Sequence, residues 1–263
     1  MKAYCINLDR RPDRLAHMTR QAEALDLVFE RVCAVDGRDP EVAAAAARCG
    51  VGLTGLRMSA GAYGCFQSHR EVWRRLLASG EGHAMVFEDD LVLAPGIADY
   101  LDPAWVPADA DLVRLETFLT RFHRDRGPGI AVAGRHIHRM RSRHVGAGSY
   151  AISAGAAARL LAASERIDDP IDELLFNEAS ALFGGLVVYQ MIPAPVVQGD
   201  RLAPDREKAE SGWQATSITE RYAEGDLAAQ VAPEGTIRRL FRRMREESRS
   251  LAAGTRYVVA PYG

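Results

Sequence analysis

Nowhere in these 263 residues does an apolar run approach the ~20 residues that span a bilayer. The first residues, MKAYCINLDRR, hold no apolar stretch of signal-peptide length, so a soluble, cytoplasmic chain is expected. Cysteine is scarce: Cys5, Cys33, Cys49 and Cys65 form no C-x-x-C pair, and they read as reduced thiols used as small core residues. There is no strong charge of either sign. The formal net charge is −2, whereas a nucleic-acid binder is usually basic, so no nucleic-acid partner is expected. No internal repeat is evident. What is present is an apolar content of 48%, enough for a sizeable core at a length that suits one large α/β domain or a domain plus an appendage.

Strand and helix signals alternate along the chain. Residues 3–8 are short and apolar, a first strand. Pro12 opens a helix on which Leu15, Met18, Ala22 and Leu25 recur at helical spacing. Residues 28–35 read as a second strand, ended by Asp36-Gly37, and 43–47 as a short helix. Ser59 caps a helix that carries Phe66, His69, Val72, Trp73, Leu76 and Leu77 on one face and stops at Ser79-Gly80. Further strands are expected at 83–87, 111–115 and 186–189, a hairpin within 130–152, and helices at 154–163 and 171–181. This alternation predicts an α/β fold, an open, mostly parallel sheet with helices on both faces. Ligands of such sheets bind beyond the carboxyl ends of the strands, where Asn7, Asp36 and Glu88-Asp89-Asp90 are expected to lie.

The acidic triplet after the apolar HAMVF strand is the strongest chemical signal. Three adjacent carboxylates repel one another unless a cation or hydrogen bonds compensate. A hard divalent ion, Mg2+ or Mn2+, takes oxygen ligands, commonly one or two carboxylates plus substrate phosphates. Glu88 and Asp90 are two apart and can face one side, so they are the expected metal ligands, with the ion bridging a diphosphate leaving group. An isolated E-D-D would be a solvated turn; the apolar strand before it favours the metal site.

Four separated stretches make the sequence resemble glycosyltransferase family 25, the family of bacterial lipooligosaccharide galactosyltransferases and collagen-modifying galactosyltransferases. They are INLDRRPDRL at 6–15 with AVDG at 34–37, GAYGCFQSHREVW at 61–73, MVFEDDLVL at 85–93, and GSYAISAGAAARLL at 148–161 with PIDELL and PAPVVQ downstream. The resemblance covers about residues 3–200 and implies a glycosyltransferase-A-like (Rossmann-like) fold, a UDP-sugar donor, usually UDP-galactose, and a divalent metal. By motif, Glu88-Asp89-Asp90 matches the metal-binding D-x-D variant, with Asp90 as direct ligand. Asn7 and Leu8 correspond to the edge of the uridine pocket, Asp36 to an acceptor for uracil or ribose, and Arg11 and Arg14 to groups facing the diphosphate. Ser68 and His69 match the family's S-H pair, although a core-facing histidine is the plainer reading of His69. The chain departs from many relatives at Ala62, where they carry Glu, and the third metal ligand stays open between Gln198 and Asp200.

A general base is needed to take the acceptor hydroxyl's proton. Family resemblance favours Asp172, ahead of Glu173, although acids at a helix start also complement the helix dipole. From Arg121 to His144 run seven arginines and four histidines opposed only by Asp125, either a solvated hairpin or a wall that attracts anionic substrates. Near the end, IRRLFRRMREESRS sets Ile237, Leu240, Phe241 and Met244 on one helical face flanked by arginines, which packs on the domain or lies on an anionic membrane. The expected organisation is a catalytic domain at 1–200 and a helical extension at 201–263. The expected activity is metal-dependent hexosyl transfer from a UDP-sugar to a saccharide or lipid-linked saccharide. Its rivals are a metal-dependent phosphohydrolase and a non-catalytic adaptor on the same fold.

Overall fold

Strand β1 (Lys2–Asn7) buries every residue after Lys2, and its alternation decides which helix covers which face. Helix α1 (Pro12–Ala24) starts at a proline and turns Met18 and Ala22 inward. Strand β2 (Glu30–Cys33) follows, then α2 (Pro40–Ala46), capped by the Asp39 carboxylate on the Glu41 N–H at 2.8 Å. Helix α3 (Ala60–Ser79) is capped by Ser59 on the Ala62 N–H and ends at Gly80, whose left-handed φ of 73° suits glycine. Strands β3 (His83–Glu88), β4 (Leu91–Leu93), β5 (Leu112–Arg114), β6 (Glu116–Thr117), β7 (Arg121–Asp125), β8 (Ile130–Val132), β9 (Arg135–Arg139) and β10 (Ser149–Ser153) come next. Then come α4 (Ala154–Ala163), α5 (Ile171–Phe176), β11 (Val188–Ile192), β12 (Val196–Gln198), the short α6 (Gly199–Leu202) and β13 (Thr255–Val259). The structure is a computed structural model that describes residues 1–202 and 254–263.

Eight strands form one sheet in the order β2-β1-β3-β10-β5-β11-β9-β8. Six of them run in one direction, and only β10 and β9 oppose them. Each face carries its own core. Tyr4, Ile6, Ala84 and Val86 pack under α3, α4 and α5, with Trp73 and Leu76 wholly buried; Ala3, Cys5, Met85 and Phe87 pack under α1. Side chains of this size stabilise by about 1.5–3 kcal/mol each on burial. This is the α/β sheet with helices on both faces that the alternating pattern predicts.

A second sheet, β4-β12-β6, stands at the carboxyl ends of β1 and β3, with β12 antiparallel to β4 and parallel to β6. These two- and three-residue strands have no period to read and were not expected. The region 130–152 does contain a hairpin, β8–β9, but β10 is not part of it and runs between β3 and β5. The helix expected at 171–181 ends at Phe176, where Asn177 is already extended. Cys33 corrects the expectation of a core thiol: it is exposed, with its Sγ donating to the Asp9 carboxylate at 3.2 Å.

Of the extension expected at 201–263, residues 203–253 lie outside the described residues, the arginine-flanked stretch at 237–250 among them. Its last part is a strand: β13 pairs antiparallel with β7, the Thr117 hydroxyl donates to the Ala260 carbonyl at 2.6 Å, and the Ala194 N–H donates to the Pro261 carbonyl. No helix among the described residues is long and apolar enough to cross a membrane.

Candidate active site

The parallel neighbours β1 and β3 end side by side, Ile6 in register with Glu88. Asn7 is buried at the end of β1. Its amide donates to the Asp89 carboxylate at 2.7 Å and to the Arg11 carbonyl at 2.9 Å, and its oxygen accepts from Arg31 Nε at 3.1 Å. Arg14, in the first turn of α1, donates to the other Asp89 oxygen at 3.0 Å and lies 3.6 Å from Asp90 Oδ2. Farther along that helix face, Gln21 holds β4 by donating to the Leu91 carbonyl and accepting the Leu93 N–H. Arg11 pairs with Asp13, whose carboxyl is held down at about 2 by that guanidinium. The structure therefore brings Asn7, Arg14, Asp89 and Asp90 together, and the fields of Asp89 and Asp90 also reach Arg11.

Strand alternation sends Glu88 the opposite way. Even-numbered residues of β3 face α3, and Glu88 Oε1 lies 3.2 Å from His69 Nε2 and 3.4 Å from Cys65 Sγ. His69 Nδ1 is 2.9 Å from the Tyr150 hydroxyl, which also accepts the Trp73 indole N–H at 3.0 Å. His69 is buried, as the core reading expects, but its partners are side chains that reach the acidic triplet. Ser68 serves the backbone: its hydroxyl donates to the Gly64 carbonyl and accepts the Val35 N–H at 2.8 Å. That contact seats α3 against the 34–37 loop. Gly64 permits it, since a Cβ there would stand 2.4 Å from the Val35 carbonyl oxygen.

Asp90 lies past the end of β3, buried. Its carboxyl is pushed up to about 7, first by burial and then by Glu88, with Asp89 and Asp200 adding and Arg14 opposing. Asp200 thus belongs to the electrostatic surroundings of the triplet, and the Gly199 N–H donates to the Asp90 carbonyl at 2.9 Å. Gln198 sits opposite Leu91 in the β12–β4 ladder.

Sequence reasoning missed Glu116, which is wholly buried and pushed up to about 8 by burial, with Glu88 and Asp90 adding to the rise. Its Oε2 accepts the Gly148 N–H at 2.8 Å, and the Gly148 carbonyl accepts the Glu88 N–H. Asp172, also buried, accepts the Gly146 N–H at 2.9 Å from the same loop, and Arg114 donates to the Val145 carbonyl. Loop 145–148 is thereby fastened between Asp172 and the triplet. The available signal was an R-x-E pair inside the apolar run DLVRLETFL, since charges at such positions are seldom left unpaired.

Other expected residues stand apart. Glu173 is buried against Arg143 and the Asn177 amide. Asp36 pairs with Arg10 at 2.6 Å, which lowers its pKa. Leu8 is half-buried beside Asn7. Just before α5, the neighbouring acids Asp168 and Asp169, not among the expected site residues, accept the Gly50 and Leu53 N–H groups of the 50–57 loop. In the basic stretch Arg141 grips Asp125 with two bonds at 2.7 Å, Arg143 meets Glu173, Arg121 lies over Tyr257 and Arg139 over Tyr189. His136 and His138 have ring centroids 6.4 Å apart.

A family model described as glycosyltransferase family 25 (LPS biosynthesis protein) matches residues 1–175. The chain is 28% identical over 152 residues to lipooligosaccharide biosynthesis protein lex-1 of Haemophilus influenzae, a match covering 54% of this chain and 50% of that protein. With lipooligosaccharide biosynthesis protein lic2B of Haemophilus influenzae it shares 24% identity over 259 residues, 92% of this chain and 95% of that one. With the human protein named inactive glycosyltransferase 25 family member 3 it shares 28% identity over 192 residues, 66% of this chain and 31% of the other. The match thus spans half of lex-1 and nearly all of lic2B.

Proposed function

The chain belongs to glycosyltransferase family 25, and from that premise we propose that it transfers a hexose, galactose by preference, from a UDP-sugar to a saccharide hydroxyl. The acceptor is a saccharide or lipid-linked saccharide of lipopolysaccharide, lipooligosaccharide or a related surface glycan. The observation that carries this reading is the convergence of Asn7, Arg14, Asp89 and Asp90 beyond the carboxyl ends of β1 and β3, where a ligand of an open α/β sheet binds.

The donor set fits a hard divalent cation at Asp90, whose carboxylate offers oxygens in the shared field of Asp89 and Asp200; Glu88, expected as its partner ligand, turns instead toward α3 and adds only its field. Mn2+ or Mg2+ held there would supply neutralisation of a departing diphosphate. The chain's own residues do the rest. Arg14 holds Asp89 and, with Arg11, offers positive charge to the diphosphate. Asn7, Leu8 and Asp36 border the uridine, and Ser68 and His69 fix the loop and the carboxylate around it. Asp172 accepts the acceptor hydroxyl's proton, a role that Glu173, committed to Arg143 and Asn177, suits less well.

The intact acidic triplet supports a catalytic role over that of an adaptor. Incubation of the full chain with UDP-galactose and truncated lipooligosaccharide tests the proposal by mass spectrometry. An acceptor gaining one hexose is expected. Release of phosphate from phosphate esters with no acceptor product favours the phosphohydrolase instead.

A further inference from the structure

Cys65 and His69 are four residues apart on α3, so they present their side chains on one helical face, and Glu88 at the end of β3 meets both. Cys65 Sγ, His69 Nε2 and Glu88 Oε1 all lie within 4.8 Å of one another. We propose that these three side chains form a binding site for a borderline-soft divalent metal of the Zn2+ class, separate from the hard-cation position at Asp90.

The geometry suits such an ion. With Zn–N and Zn–O bonds of about 2.0–2.1 Å and Zn–S of about 2.3 Å, tetrahedral ligand atoms stand about 3.3–3.6 Å apart. Here N···O is 3.2 Å and S···O is 3.4 Å. The ligand types, thiolate, imidazole and carboxylate, match Zn2+ or Co2+ rather than Mg2+. His69 is oriented as a metal ligand needs: the ring nitrogen turned from the site meets the Tyr150 hydroxyl at 2.9 Å, and Trp73 holds that hydroxyl from behind. His69 is wholly buried while Cys65 and Glu88 are half-buried, and an ion held by these three ligands would complete its tetrahedron with water.

Binding is balanced in protons. The Cys65 thiol releases its proton to solvent on becoming a thiolate. As ligands, His69 would carry its proton on Nδ1, toward the Tyr150 oxygen, and Glu88 would bind as a carboxylate. Because Glu88 turns toward α3 and Asp89 toward α1, a metal here leaves the Asn7–Asp89–Arg14 cluster undisturbed. The site goes beyond the UDP-sugar reading and does not depend on it.

Full-length protein stripped with chelator and titrated with Co2+ tests the site by absorbance. A near-ultraviolet thiolate-to-cobalt charge-transfer band with intense tetrahedral visible bands is expected, saturating stoichiometrically and bleached by Zn2+. Cys65→Ser should abolish the charge-transfer band and weaken Co2+ binding more than roughly tenfold, while Asp90→Ala and Cys33→Ser keep the band. A wild-type spectrum without that band overturns the proposal, as does a band that persists in Cys65→Ser. If Cys65→Ser does not fold, His69→Gln replaces it: the tetrahedral bands should weaken, and an unchanged spectrum overturns the site. UDP-galactose titration of the same wild-type sample reports on the donor site separately.

Discussion

Asn7 and Asp89, 82 residues apart in sequence, share a buried 2.7 Å hydrogen bond that ties the end of β1 to the turn after β3. Its consequence is measurable. Asn7→Ala leaves the Asp89 carboxylate with Arg14 and takes the partner from Arg31 Nε. A lost hydrogen bond to a buried charge costs about 1.5–3 kcal/mol. Urea unfolding should show a loss of that size, accompanied by weaker UDP-sugar binding. An unaltered midpoint and affinity would mean that this bond organises nothing.

Glu116 should tolerate amidation. Its carboxyl, raised from 4.5 to about 8, holds a proton at neutral pH in the folded state, and glutamine keeps an oxygen for the Gly148 N–H. The native state binds this proton where the unfolded chain has released it. The stabilisation is full below about 4.5 and is lost as pH rises through about 8. Glu116→Gln should therefore gain on the wild type across that window. Glu116→Ala should instead lose about 2–4 kcal/mol by opening a cavity and freeing loop 145–148. Parallel pH-dependent behaviour of wild type and Glu116→Gln would contradict the assignment.

His138 should govern part of the acid limb of stability. Burial, then Arg124 and His136, lower its pKa from 6.5 to about 4, and Arg124 donates to its Nδ1 at 2.8 Å, so the folded ring stays neutral. The unfolded chain takes up the proton first, and stability falls as pH drops from 6.5 to about 4, by at most about 3 kcal/mol. Replacing His138 with Gln should remove one proton's worth of slope from a stability–pH curve in that window. A slope unaltered by the substitution would assign the acid loss to other groups.

Asp172→Asn keeps a carbonyl oxygen for the Gly146 N–H at 2.9 Å, so the fold should survive. Hexosyl transfer should be abolished while UDP binding persists. Near-normal turnover removes Asp172 from the mechanism, and loss of both binding and melting temperature would make it a loop anchor.

The sheet and its principal helices were legible because their signals are local and long: Ser59 and Gly80 bracket α3, and HAMVF marks β3. The triplet was legible as chemistry. That Glu88 and Asp89 turn to opposite faces follows from strand alternation once the covering helices are known, which one sequence does not supply. Spacing alone put Glu88 and Asp90 on one side, whereas Asp90 lies beyond the strand, where alternation no longer governs, and approaches Arg14. Glu116, Tyr150 and the clamp on loop 145–148 depend on residues brought together by β5, β6 and β10, whose order in the sheets no local pattern encodes. Arg14 was expected by motif to face the diphosphate, but its bond to Asp89 depends on α1 packing beside β4, which no local pattern encodes.

Isothermal titration of UDP-galactose, UDP-glucose and GDP-mannose, with Mn2+ and then with chelator, on wild type and Asp90→Ala, tests the donor site most directly. The account predicts metal-dependent binding of a UDP-sugar, UDP-galactose foremost, that is lost in Asp90→Ala. A well-folded wild type that binds none of the three, or an Asp90→Ala variant that binds as the wild type does, would contradict it.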